Sequence, residues 1–285
     1  MRGAYRLKQV LEGLKLRRAR RQAMTRIAKF PSVKSKVNHG LPKPLIVTLT
    51  SYPPRFSHLA KTLKSLLDQR ITADQTILWL AESDVSALPK DVLALKSKGL
   101  QIRATHDIRS YKKLIPALSA FPDSFFVTAD DDVFYPPDWL EQLVASSKEN
   151  PNAVVGCRAH LAPITAEGRF SSYSTWQFAT HLLASPAPDV RLFPTGVGGI
   201  LYPPGAFDDR VHDEASFTEL APFGDDIWFF WMCRLKGTPQ VRAQMDFRII
   251  DWPDSQEVAL YNNNLHGNGN DKQLLAMYEH FGPVP

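Results

Sequence analysis

Cysteine is scarce in this chain: 285 residues include only Cys157 and Cys233, with no Cys-x-x-Cys pair. That scarcity excludes a disulfide scaffold and a zinc cluster, and it suits a reducing cytoplasm. Long apolar runs are missing too. None approaches the roughly 20 residues of a membrane span. The N-terminus lacks a short apolar region followed by a small-residue cleavage site, so no signal peptide is expected. No Gly-x-Gly-x-x-Gly follows the first strand-like segment and no Walker loop occurs, which removes the usual dinucleotide and P-loop readings. Acid is almost absent from residues 1–43, where 13 Lys or Arg face the single carboxylate of Glu12.

The formal net charge of +5 therefore conceals a division. The remaining residues hold 21 basic against 28 acidic side chains, a net of −7. This is a mildly acidic domain with a basic arm, which argues against nucleic acid as a partner. The length allows a full core, and a hydrophobic content of 44% is that of a globular protein. We divide the chain into an arm with linker, residues 1–43, and a domain, residues 44–285. From Tyr5 to about Phe30 the arm reads as helix, with Leu7, Val10, Leu11 and Leu14 on one face. Leu16, Ala19, Ala23, Ile27 and Phe30 form a second stripe, and Arg17, Arg18, Arg20 and Arg21 lie between. Such a helix is expected to contact an anionic membrane surface or a partner protein, the alternative being a solvated helix packed on the domain. A cytoplasmic, peripheral location follows as an expectation. Residues 31–44 read as linker.

In the domain, strands are expected at Leu45–Leu49, Gln75–Ala81, Leu100–Thr105, Phe125–Thr128 and Ala153–Cys157. Helices are expected at Phe56–Gln69, Asp91–Ser97, Tyr111–Ala120 and Leu140–Ser147. Strands alternating with helices at this spacing predict an α/β fold with a mostly parallel sheet flanked by helices. Later segments are expected as a Gly-rich strand within Phe193–Tyr202, a helix Asp226–Leu235, a strand Val241–Ile250, a polar loop through His266, and a last helix Lys272–His280. Arg158, His160, Tyr173 and Trp176 are candidates for lining a binding pocket.

Three consecutive carboxylates, Asp130-Asp131-Asp132, end the apolar run Phe125–Thr128 and precede the Pro136-Pro137 stop. Their mutual repulsion is costly unless a cation or a ring of donors compensates, so a divalent-metal site is favoured over a solvated turn. Alternation along a strand puts Asp130 and Asp132 on one side and Asp131 on the other. Gly224-Asp225-Asp226 opens an aromatic helix, where carboxylates also suit the helix dipole without any catalysis. Arg109, Lys112 and Lys113 sit near the start of a helix, against the dipole, and are candidates for a phosphate contact.

The Asp triplet resembles the Asp-x-Asp motif of GT-A type glycosyltransferases, including bacterial family-2-like enzymes, which hold a nucleotide-sugar diphosphate through Mn²⁺ or Mg²⁺. Thr50-Ser51-Tyr52 after the first strand, the Gly-rich run, Gly224-Asp225-Asp226 and Leu265-His266-Gly267 follow in that family's order, over about residues 45 to 271. The resemblance implies a GT-A (Rossmann-like) domain with a donor half at about 44–135 and an acceptor half at about 136–285. It assigns Thr50, Ser51, Tyr52, Arg55, Lys112, Lys113, Asp130 and Asp131 to the donor, and Asp132, Asp130 and His266 to the metal. Asp226 aligns with the Asp that faces the acceptor hydroxyl, and Asp225 stands where Glu is usual. The implied partners are a nucleotide-sugar donor and a glycan or lipid-linked acceptor, with surface polysaccharide as the implied product. A Mg²⁺-dependent nucleotidyltransferase would need a Lys-rich loop after the first strand, and Tyr52-Pro53-Pro54-Arg55 is a poor one. A non-catalytic sugar-binding protein would be marked by loss of an acidic motif, and both are present.

Overall fold

Residues that alternate along one strand are sorted cleanly between two cores, which is what builds this sheet. In the computed structural model, Leu45, Val47 and Leu49 enter one buried cluster and Ile46 the other. Leu78 and Leu80 likewise oppose Ile77 and Trp79, and Phe125 and Val127 oppose Phe126. A strand buried on both faces needs no polar side, hence the near-continuous apolar runs in the sequence. The structure describes residues 2–179, 191–245, 248–253 and 269–284, with side chains from residue 10 onward.

The chain begins with α1 (Arg2–Ala28), β1 (Val37–Asn38), β2 (Leu45–Thr50), α2 (Phe56–Leu67), β3 (Ile71–Thr72) and β4 (Gln75–Ala81). It continues through α3 (Lys90–Ala94), β5 (Leu100–Thr105), α4 (Ile115–Ala120), β6 (Phe125–Ala129) and α5 (Trp139–Glu149). Then come β7 (Val154–Gly156), β8 (Ala159–Leu161), β9 (Leu192–Pro194), β10 (Ile200–Tyr202), α6 (Glu214–Leu220), α7 (Asp225–Lys236), β11 (Gln240–Arg242) and α8 (Gly269–Phe281). The main sheet has the order β11-β7-β10-β6-β2-β4-β5. Its β6-β2-β4-β5 half is parallel, β10 runs antiparallel between β6 and β7, and β11 is parallel to β7. The fold is therefore α/β with a mostly parallel sheet. Leu59, Leu63 and Leu66 of α2 and Trp139, Leu140 and Leu143 of α5 cover one face, and the aromatic helix α7 belongs to the core on the other.

Several elements differ from expectation. The Gly-rich run is two strands joined by a turn, because Gly198 and Gly199 have φ of +96° and +97°, which no strand adopts. Lys113 ends a 3-10 turn, Arg109–Lys113, and α4 starts only at Ile115. The strand expected to reach Ile250 stops at Arg242. Helix α6 was not expected; Asp213 caps it by accepting from the backbone of Ser216. Among the described residues no helix is long and apolar enough to cross a membrane.

Helix α1 is docked at its C-terminal end. Ala23 and Ile27 share a small buried cluster with Phe134 and Trp252. Arg20 donates to both carboxylate oxygens of Asp251 at 2.8 Å. The following segment is tied down as well, since the backbone N–H groups of Ser32 and Val33 donate to Asp68 and β1 pairs with β3.

The β9–β10 turn supplies the sharpest packing constraint. A Cβ on Gly199 would stand 2.6 Å from Cζ2 of Trp139 and 2.9 Å from the Thr128 carbonyl oxygen, whereas one on Gly205, also at positive φ, would meet nothing within 4 Å. Gly199→Ala is expected to lower unfolding free energy by about 2–4 kcal/mol, against about 1 kcal/mol for Gly205→Ala. Urea denaturation measures both, and equal losses would contradict the packing account.

Candidate active site

Strands β2 and β6 lie side by side and parallel, with Leu49 opposite Ala129. The residues that follow them, Ser51 and the Asp triplet, therefore emerge together at the C-terminal edge of the sheet, where open α/β sheets bind ligands. Ser51 Oγ donates to Asp131 at 2.6 Å. The 3-10 turn Pro53–Arg55 then aims Arg55, whose Nη1 lies 2.9 Å from Asp131 Oδ1 and 2.8 Å from Asp132 Oδ2. One guanidinium thus reaches neighbouring carboxylates. The expected strict alternation does not hold through the triplet, because β6 ends at Ala129 and the backbone turns after it. Asp130 is pinned differently: its backbone N–H donates to the Tyr135 hydroxyl at 2.8 Å.

Opposite the triplet, the N-terminus of α7 presents Asp225 and Asp226. Lys113 joins the two groups. Its ammonium is 2.6 Å from Asp225 Oδ2, 3.8 Å from Asp130 Oδ1 and 3.9 Å from Asp226 Oδ1. Its carbonyl oxygen accepts from Thr48 Oγ1 at 2.6 Å, so the lysine is fixed to β2 as well. The turn that carries it is fastened to the segment before α7. Tyr111 donates from its hydroxyl to the Ala221 carbonyl at 2.6 Å and stacks on Phe217 at 4.1 Å. Arg109, at φ +54°, donates to the Pro222 carbonyl and lies 4.7 Å over the Phe223 ring.

The glycine turn approaches from the third side. Gly196 N–H donates to Asp226 Oδ2 at 2.7 Å. A Cβ there would lie 2.7 Å from Asp226 Oδ1 and 3.1 Å from Lys113 Nζ, so any side chain at this position must push those two charged ends aside. Trp139 Nε1 donates to the Gly198 carbonyl at 2.6 Å and fixes the turn on α5.

These contacts set the charge states. Burial raises the Asp226 carboxyl to about 6, Lys113 pulling it down and Asp225 pushing it up. Burial likewise raises Asp130 and Asp131, against the pull of Lys113 on the first and Arg55 on the second. Burial opposes the charge on Lys113, but Asp225, Asp226 and Asp130 together hold its pKa above the ordinary value. Among the described residues five carboxylates share two cations, an excess of negative charge that a divalent ion would offset.

The structure thus gathers Ser51, Arg55, Lys113, Asp130, Asp131, Asp132, Asp225 and Asp226 into one cluster. Tyr52 stands beside it, its ring 6.0 Å from the Arg55 guanidinium. Thr50 turns its hydroxyl to the Trp79 carbonyl, and Lys112 pairs with Asp107. His266 lies outside the described residues. His160 and Trp176 are buried, as members of an aromatic group with Tyr173 and Phe178. Tyr135 and Gly196 were not singled out from the sequence. The only signals were the position of Tyr135 beside the Pro-Pro stop and the glycines inside an apolar run. Among the described residues no three His, Cys, Asp or Glu side chains form a metal-holding group. Asp130 and Asp132 offer hard oxygen donors, and Mg²⁺-type ions use one or two carboxylates completed by substrate phosphate and water, so the donor set fits such an ion.

No protein-family model matches the chain, and no curated protein matches it. Solved structures do. A mannosyltransferase from Pyrobaculum calidifontis, in complex with GDP-Man and Mn²⁺, superposes with a TM-score of 0.53 at 12% identity, covering 95% of this chain and 76% of that one. A 4-diphosphocytidyl-2C-methyl-D-erythritol synthase gives a TM-score of 0.44 at 12% identity, over 79% of this chain and 99% of that one. Glucosyl-3-phosphoglycerate synthase from Mycobacterium tuberculosis gives 0.31 at 14% identity, over 40% and 43%. The first likeness shows the fold: this chain has the GT-A, Rossmann-like architecture.

The Gly196 contact has a measurable consequence. In Gly196→Ala the added methyl must displace Asp226 and remove a hydrogen bond that holds its pKa down. Carboxyl-carbon NMR titration is expected to show Asp226 moving upward from about 6. An unmoved titration would show that the glycine turn does not set the charge of Asp226.

Proposed function

We propose that the protein is a metal-dependent glycosyltransferase that moves a sugar, of hexosyl type, from a nucleotide-sugar donor to a glycan or lipid-linked acceptor. The observation that carries this reading is the convergence of Asp130 and the α7 Asp pair on Lys113, with Asp131 and Asp132 on Arg55, at the C-terminal edge of a GT-A sheet. The complex of the Pyrobaculum calidifontis enzyme with GDP-Man and Mn²⁺ supports the class of donor and metal. We place the enzyme in surface-polysaccharide synthesis, cytoplasmic and peripheral, with α1 as its contact to a membrane or partner protein.

In this reading Thr50, at the end of β2, and Ser51, Tyr52 and Arg55, after it, border the nucleotide. Asp131, held by Ser51 and Arg55, shapes that wall. Asp130 and Asp132, together with His266, would hold the metal, and Asp130 would lie nearer the ribose or donor sugar. Lys112 and Lys113 supply positive charge near the donor phosphates. When bound, Mn²⁺ or Mg²⁺ would supply positive charge against that building on the leaving diphosphate. The acceptor hydroxyl oxygen forms the new bond to the anomeric carbon as the bond to the diphosphate breaks, and the nucleoside diphosphate departs with that electron pair. In an inverting reaction the hydroxyl proton passes to Asp226, and Asp225 positions the acceptor or sugar hydroxyls. In a retaining one the pair orients the substrates. A carboxylate at about 6 is ionised at neutral pH yet basic enough to take a proton, and such base catalysis contributes about 10²- to 10⁴-fold.

Three measurements test these roles. Asp226→Asn is expected to lower kcat by about a hundredfold or more with donor affinity near wild type. Near-normal turnover with a much lower melting temperature would make Asp226 only a helix-terminal group. Because the carboxylate is the active form, kcat/KM should rise as pH passes upward through about 6 and then level, and a profile flat across that range would remove the base. Asp132→Asn should abolish Mn²⁺-dependent nucleotide-diphosphate binding in calorimetry while the fold stays intact. Unchanged affinity would place the metal elsewhere.

A further inference from the structure

The docking of α1 fixes which side of that helix is left over. Leu16, Arg20, Ala23 and Ile27 recur at helical spacing and face the domain, Ala23 and Ile27 being fully packed there. The only acid of the arm, Glu12, lies on this inner side, 3.5 Å from Arg248 and 2.7 Å from Lys15. At 3.6 residues per turn the opposite side carries Val10, Leu11 and Leu14, followed by Arg17, Arg18 and Arg21. The three apolar side chains are 59%, 48% and 55% exposed. The three arginines are exposed too, and none has an ion-pair partner among the described residues. An exposed apolar end that runs into an acid-free arginine stretch on one continuous face marks an interaction surface.

We infer that this outer face of α1 docks on an anionic lipid bilayer. Charge complementarity selects that occupant: the arginines reach anionic headgroups while Val10, Leu11 and Leu14, at the end of the same face, enter the headgroup–acyl boundary. A protein partner would need a matching acidic groove, whereas an anionic leaflet satisfies the row of arginines without any specific register. The inner face makes the attachment consequential for the active site. Trp252, which packs on Ala23 and Ile27, donates its backbone N–H to the Asp132 carbonyl at 3.1 Å. Val133 bridges Asp251, the partner of Arg20. The docked helix thus lies one packing layer from the Asp triplet and holds the catalytic edge of the sheet close to the lipid surface. This docking stands independently of the transferase reading.

Flotation of the full chain with phosphatidylcholine vesicles, with and without phosphatidylglycerol, tests it. The wild type should float with the anionic vesicles and stay behind with the neutral ones, and added salt should release it. The triple variant Arg17→Glu, Arg18→Glu, Arg21→Glu should bind at least about tenfold more weakly, and Leu14→Glu should also weaken binding. Both changes lie on the exposed face, so their melting temperatures should match wild type. If a variant melts lower, the conservative Arg-to-Gln triple replaces it in the same assay. Equal flotation of wild type and triple variant, equal flotation on both vesicle types, or none on either would overturn the inference. Calorimetry of Mn²⁺ with nucleotide diphosphate, run without vesicles, separates the two readings: binding without flotation sinks only the docking, and flotation without binding sinks only the transferase.

Discussion

The site depends on one buried ammonium. Lys113 lies in the interior, where an unpaired charge would be prohibitively costly, and its neighbours Asp225, Asp226 and Asp130 would repel one another without it. The cation and the three carboxylates are therefore mutually required. Removing either side leaves uncompensated charge in a poorly hydrated place, and that requirement explains the surrounding architecture. The 3-10 turn that carries Lys113 is fixed to β2 through Thr48 and to the approach of α7 through Tyr111 and Arg109. Each fastening narrows where the ammonium can sit. Arg55 has the same role one strand-end away, under Asp131 and Asp132.

The sheet makes this arrangement possible by bringing distant segments to a common edge. Adjacent parallel strands deliver residues 51 and 130–132 side by side. The antiparallel β10 runs back beside β6 and sets the glycine turn against both Asp226 and Trp139. In that turn the absence of a side chain at residue 196 lets a backbone N–H meet a carboxylate, and the positive φ at residues 198 and 199 lets the chain reverse over the Trp139 ring. Asp226, Asp130, Asp132 and the fixed ammonium of Lys113 are thereby gathered at one edge of the sheet, and the proposed sugar transfer rests on that gathering.

Much of this was legible in the sequence because buried parallel strands are spelled as short apolar runs. β4 and β5 begin and end where expected, and β2 and β6 differ by one residue at their ends. Local patterns also placed the Asp triplet at a strand end and the Asp pair at a helix start. They could not show that residues 113, 130, 196 and 226 meet, since no periodicity links segments so far apart. Lys113 is the clearest case. Beside Lys112 it reads as one of a phosphate-contacting pair, yet Lys112 faces Asp107 while Lys113 turns inward to Asp225. The glycine run shows the complementary failure: its apolar composition suggests one strand, and its backbone angles divide it into two. Helix α1 was read correctly as helix, but its attachment depends on Phe134 and Trp252, more than a hundred residues away.

The central claim is that this cluster binds a nucleotide-sugar through a divalent ion. Its most direct test is thermal unfolding of the whole protein against a panel of nucleotide-sugars, with and without Mn²⁺ or Mg²⁺. A ligand that binds only the native state at about 100 times its Kd stabilises by about 2.7 kcal/mol, which is several degrees for a domain of this size. The expected result is a rise in Tm with at least one nucleotide-sugar that requires the metal and exceeds the effect of metal alone. No rise with any donor, or the same rise in the presence of chelator, would contradict the account.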